Sequence, residues 1–249
     1  MATACDHLGL SCFSHHCHNG DTPVLLTPKV ILATPRQLWA HLLCAECERR
    51  LNKFGETPVF LLLDNGSRFP LLGKMRLALT VKTEGDVVTF SGSAMGIDTD
   101  ALAHFALGVL WKGSVHQWKT VEGQTSSVKL GAFREQIRTY LLGRSGFPSG
   151  VFVIVTACED RGSRGMVFAP NLNKSAGSHG TMFSLLTRGI WFHIITDENA
   201  APGIKDLCCV QSEKKVLHLQ DCTKELIEAG RHVHKTARVS SNVSPRRSK

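Results

Sequence analysis

The sequence predicts an α+β fold in which a small Cys/His-rich, metal-stapled N-terminal module precedes a mixed helix and antiparallel-sheet domain. Three observations carry that reading. Residues 1–56 are dense in cysteine and histidine and hold no long apolar periodic segment, the composition of a fold that a metal must staple. The middle of the chain shows two stretches of helical apolar periodicity. After Pro148 the apolar residues gather in short β-branched and aromatic runs broken by Gly, Asn and Ser. The expected division is a module over 1–56, an α+β domain over 57–230 and a basic tail over 231–249.

The elements follow in order. From Glu56 to about Phe90, "TPVFLLL", "KMRLALTVKTE" and "GDVVTFSG" read as strands or short elements separated by the turn signals "DNG" and "EGD". Asp98 to Lys119 is the clearest helix, with Leu102, Phe105, Ala106, Val109 and Leu110 on one face and Asp98 or Thr99 as cap. A second helix is expected from Ala132 to Leu142, with Phe133, Ile137, Tyr140 and Leu141 on one face between Gly131 and Gly143. "GVFVIVTAC", "GMVFAPN", "GTMFSLLTRG" and "IWFHIITDE" then predict a sheet or meander, and a last helix is expected around Cys222 to His234.

The chain has nine cysteines, an odd number, and no basic, then apolar, N-terminal segment, so free thiols or metal ligands are expected rather than a disulfide framework. Zinc takes four soft or borderline donors in a tetrahedron, usually as two pairs from separate short loops. Cys44 and Cys47, in "LLCAECERRLNKFGE", have the two-residue spacing of a tight knuckle. Cys12 and Cys17, in "SCFSHHCHNGD", supply the second pair with four residues between them, and His15, His16 and His18 are alternative donors. The expected cofactor is therefore a structural zinc ion, with unmetallated thiols in an interaction or scaffold protein as the alternative. Cys158, Cys208, Cys209 and Cys222 lie far along the chain without partner spacing and are expected to be plain buried or surface thiols.

"LLCAECERRLNKFGE" resembles the second zinc knuckle of treble-clef proteins of the HNH-endonuclease type, where a strand ends in the first Cys and the second opens a helix. Together with "HFALGVLWKGSV" and "LGAFREQIRTYLL" it is similar to a group of largely uncharacterised bacterial proteins in which an HNH-like zinc module precedes an α+β domain. The resemblance implies a treble-clef zinc site and, at its fullest, metal-dependent nuclease activity. Such a nuclease carries a general-base histidine between its Cys pairs, whereas no histidine occurs here between His18 and His41. The expected function is thus a zinc-binding HNH-like protein without a recognisable catalytic residue, and an active endonuclease is the second reading.

The charge of +8 is concentrated at the end of the chain. Arg231, Lys235, Arg238, Arg246, Arg247 and Lys249 stand in a segment without acids, expected to be a solvated, disordered tail, and the body is nearly neutral. DNA or RNA is the expected partner class for Arg49, Arg50 and Lys53, which share a helical face after Cys47 if that helix is exposed. No small-molecule cofactor is expected, since the chain has neither a phosphate-cradling glycine loop nor a GxSxG elbow. With apolar runs as short as "FLLL" and "GVFVIV", a soluble cytoplasmic protein without a membrane span is expected.

Overall fold

The computed structural model describes residues 24–26, 31–33, 42–119, 125–173 and 180–227. Cys12, Cys17, His41 and the basic tail lie outside the described residues. Strands β1 (Val24–Leu26) and β2 (Ile31–Ala33) form an antiparallel ribbon. Cys44, in extended conformation, then caps a helical rod: α1 (Ala45–Leu51), a π-helical turn (Asn52–Glu56) and α2 (Thr57–Phe60). Helix α3 (Pro70–Leu77) starts on a proline, whose missing N–H costs nothing in a first turn. It leads into the hairpin of β3 (Thr80–Glu84) and β4 (Val87–Ser91), which turns at Gly85 with φ of +56°.

Helix α4 (Thr99–Val115) is capped by the Asp98 carboxylate, which accepts from Ala101 N at 2.9 Å. The short ribbon β5 (Trp118–Lys119) and β6 (Thr125–Ser126) follows, then α5 (Phe133–Leu141). Beyond it come β7 (Val151–Cys158), the single turn α6 (Arg161–Arg164), β8 (Val167–Asn173), β9 (Thr181–Thr187) and β10 (Ile190–Thr196). A 3-10 helix (Pro202–Leu207) and β11 (Val216–Gln220) complete the order, with residues 223–227 helical after them.

Seven strands form one sheet in the order β3-β4-β11-β7-β10-β9-β8. The expected antiparallel pairing holds at every seam but one, where β11 inserts between β4 and β7 and runs parallel to β7. The sheet is therefore mixed. Period-two alternation splits β7 between two faces: Val151, Val153, Val155 and Ala157 join the main core with Phe192 and Ile194, while Phe152 and Cys158 join smaller clusters on the other side.

Helix α4 lies against the main-core face, with the rod and α5 packed on its other side. A helix between two layers has no solvent stripe, which explains why even His104, Lys112 and Ser114 are buried along with Leu102, Leu107 and Leu110. The rod is bonded into this core. Gly55 in the π-helical turn packs backbone to backbone, since a Cβ there would sit 3.0 Å from Phe105 N. Glu56 and Lys112 form an ion pair at 2.7 Å with both side chains 6% exposed.

The module boundary expected near residue 56 thus falls inside a continuous rod. "TPVFLLL", expected as a strand or short element, closes that rod with the single turn of α2, and Val59 within it and Leu63 just beyond it are both buried. No helix among the described residues is long and apolar enough to cross a membrane.

Candidate metal-binding thiols

Cys44 and Cys47 owe their convergence to the helix start. The first is the N-cap, in extended backbone at φ −74° and ψ 160°; the second stands three residues into α1, so the two side chains meet over the first turn. Their sulfurs are 3.3 Å apart. The Cys47 backbone amide, followed by its thiol, pulls the Cys44 thiol below its ordinary pKa, while the Cys44 thiol and burial push Cys47 up. Cys44 is therefore the first of the pair to present a thiolate, as expected at a helix N-terminus. Beside them opens a hollow of about 210 Å³ lined by Leu42, Leu43, Leu51, Trp111, Arg138 and Leu142 among others. No histidine stands among its described lining residues.

The three basic residues on the rod have different surroundings. Arg49 is exposed and pairs with Glu46, and Lys53 is exposed with its ammonium 5.3 Å from the Phe54 ring. Arg50 turns inward. Its Nε donates to the Leu141 carbonyl at 2.8 Å and its guanidinium lies over Phe54, filling the space beside Gly143. Arg50 joins the rod to the end of α5, while Arg49 and Lys53, one turn apart, leave their charges toward solvent.

Sequence spacing gave no reason to group Cys158, Asp160 and Cys222, yet the fold brings them together. Their donor atoms all lie within 4.8 Å of one another, a donor set and spacing that could hold a metal ion. Cys158 ends β7 and Cys222 follows β11, so the parallel pairing of Gln220 with Cys158 sets both thiols at the same end of the seam. Asp160 caps α6: its Oδ1 accepts from Ser163 N at 2.7 Å, and Oδ2 accepts from Cys222 N at 3.3 Å. The neighbouring Cys158 thiol and then burial push the Cys222 thiol well above its ordinary pKa. The only local signal in the sequence was a repeated arrangement, an apolar strand run leading into a cysteine beside an acid, at "VTACED" and "HLQDC".

A separate groove of about 540 Å³ crosses the sheet face away from α4. On its wall His218 donates from Nε2 to the Leu207 carbonyl at 2.9 Å, leaving Nδ1 to accept the Thr89 hydroxyl at 3.1 Å. His193 shares a 2.9 Å hydrogen bond with Ser184 through Nδ1. Burial pulls His193 down to about 4 and lowers His218 as well. As neutral rings near pH 7 they offer hydrogen bonds rather than charge.

No family model matches the chain, and no curated protein or solved structure matches it.

Proposed function

We propose that this is a zinc-binding protein whose N-terminal cysteine pairs hold a structural zinc ion, and whose exposed rod face meets nucleic acid. The observation that supports it is the convergence of Cys44 and Cys47, 3.3 Å apart at the start of the rod. Two thiolates on one tetrahedral ion sit about 3.7 Å apart with zinc–sulfur bonds of about 2.3 Å, so the pair needs little rearrangement to share one. Cys12 and Cys17 are the proposed second half of the ligand set, and the HNH-like resemblance of "LLCAECERR" is the reason for placing them there. The zinc neutralises the thiolates and ties the preceding chain to a rod anchored in the core through Glu56 and Lys112.

Arg49 and Lys53 supply two phosphate-directed charges one turn apart, whereas Arg50 is engaged with Leu141. The endonuclease reading draws no general base from the described residues lining the hollow beside the thiols. The test is elemental analysis of the purified chain beside a Cys44→Ser/Cys47→Ser variant, followed by retention on DNA and RNA across a salt series. Loss of zinc and of protease resistance at the N-terminus in the variant supports the structural role. Retention should fall steeply with salt, and Arg49→Ala/Lys53→Ala should reduce the slope of log affinity against log salt by about 2. Equal zinc in the wild type and the cysteine variant contradicts the proposal.

A further inference from the structure

We propose that Cys158, Asp160 and Cys222 form a second metal site, a clasp on the parallel seam between β7 and β11 that takes one divalent zinc-class ion through two sulfurs and one carboxylate oxygen and leaves a fourth position to water. It rests on residues that share nothing with the N-terminal pair.

The position is set by topology. At a seam between parallel neighbours both strands end on the same side, and here β7 and β11 release their chains together at Cys158 and Cys222. Backbone bonds fix the two ends: Glu159 N donates to the Gln220 carbonyl at 2.9 Å, and Cys158 N to the Gly189 carbonyl at 2.7 Å. The carboxylate is held too, because Asp160 Oδ1 is occupied by Ser163 N and Oδ2 is steered by Cys222 N. Bound zinc sets such donors about 3.7 Å apart, against the 4.8 Å within which they already lie, so closing by about 1 Å completes the site.

The chemistry of the donors selects the ion. Two thiolates and a carboxylate form a soft to borderline set that favours zinc over magnesium or calcium, which take all-oxygen shells. Burial is graded as an open site requires: Cys158 is 0% and Cys222 3% exposed, while Asp160 is half-buried and leaves a side for water. Three protein ligands with a vacant fourth position are the pattern of zinc sites that bind an exchangeable ligand.

A second observation comes from the same cluster. Trp191 packs in the same cluster as Cys158, Cys222 and Leu186, and its Nε1–H is buried without an acceptor among the described residues. An indole donor buried without an acceptor is poorly satisfied, and a metal-bound thiolate in the same cluster is a better acceptor than a thiol. A divalent ion balances the charge of two thiolates and the adjacent Asp160 carboxylate within one cluster.

The test uses the full chain in three forms: wild type, Cys44→Ser/Cys47→Ser, and Cys158→Ser/Cys222→Ser. Each is loaded with zinc for stoichiometry and with cobalt(II) for its visible spectrum. The Cys44/Cys47 variant should retain one equivalent, with thiolate-to-cobalt charge transfer and a ligand-field spectrum that shifts when azide is added to the open position. The Cys158/Cys222 variant should lose that equivalent. Asp160→Asn keeps the Oδ1 acceptor of the cap and both thiols and gives up only the long Cys222 N bond to Oδ2, so it should fold and bind the ion at least tenfold more weakly. A Cys44/Cys47 variant without bound metal, or cobalt spectra indifferent to Cys158, Cys222 and Asp160, overturns this site while leaving the N-terminal proposal standing. A single equivalent lost only with Cys158 and Cys222 supports it and removes the N-terminal one.

Discussion

Replacing Lys112 by Met isolates the ion pair that fixes the thiol-bearing rod to α4. At 2.7 Å and an effective dielectric constant of about 20, the attraction between Glu56 and Lys112 is about 6 kcal/mol before the cost of taking both charges out of water. That cost cancels most of the gain, so the pair as a whole adds little relative to a well-packed apolar one. Breaking it is another matter. With both side chains 6% exposed, Lys112→Met takes a buried cation from the Glu56 carboxylate and should cost about 3–5 kcal/mol. Glu56→Gln should cost a similar amount, and the double variant clearly less than the sum. With a slope of about 2 kcal/mol/M in urea, each single variant lowers the unfolding midpoint by about 2 M. The cycle is read from equilibrium urea unfolding of the four proteins. Single variants within 1 kcal/mol of wild type, or strictly additive effects, would show that the rod is not held through this pair.

Acid should unfold the protein through its buried imidazoles. His104 and His193 are both held down to about 4 by burial, so the folded state refuses protons that the unfolded state accepts below about 6.5. Their contribution is fully present above that value and is lost as pH falls toward 4, by up to about 3 kcal/mol each, which urea titrations between pH 7 and 4 would detect. A flat profile, or one unchanged in His104→Gln, goes against this. Gly92→Ala should destabilise by about 1–3 kcal/mol, because its Cβ would lie 2.6 Å from the Lys215 carbonyl that Gly92 N itself bonds; a neutral thermal melt would contradict the register there. Arg50→Ala should lower stability by about 1–3 kcal/mol through the lost Leu141 bond and leave the salt slope of nucleic-acid retention unchanged. A drop in that slope would instead make Arg50 a phosphate contact.

Local signals read well where the fold depends on neighbours in the chain. Asp98 caps α4, and the glycines around α5 bound it much as their spacing predicts. The expected helix to Lys119 stops at Val115, and Trp118 and Lys119 pair as a short strand instead. Helix α3 was missed because "KMRLALTVKTE" joins its last turn directly to β3, and Pro70 was the one available start signal. The parallel seam could not be read at all. The strand "VLHLQ" looks alike whether it closes a meander or inserts between β4 and β7, since register across the chain leaves no local trace. For the same reason the sequence exposed the Cys44–Cys47 pair, whose donors are three residues apart, and hid the group of Cys158, Asp160 and Cys222, which only that seam assembles.

Whether thiolates of this chain hold metal can be read from zinc X-ray absorption on the purified protein. A sulfur shell at about 2.3 Å should be the main scatterer, with a smaller oxygen shell at about 2.0–2.2 Å that shrinks in Asp160→Asn. Zinc surrounded by oxygen and nitrogen alone, or protein purified under reducing, chelator-free conditions without metal, would contradict it.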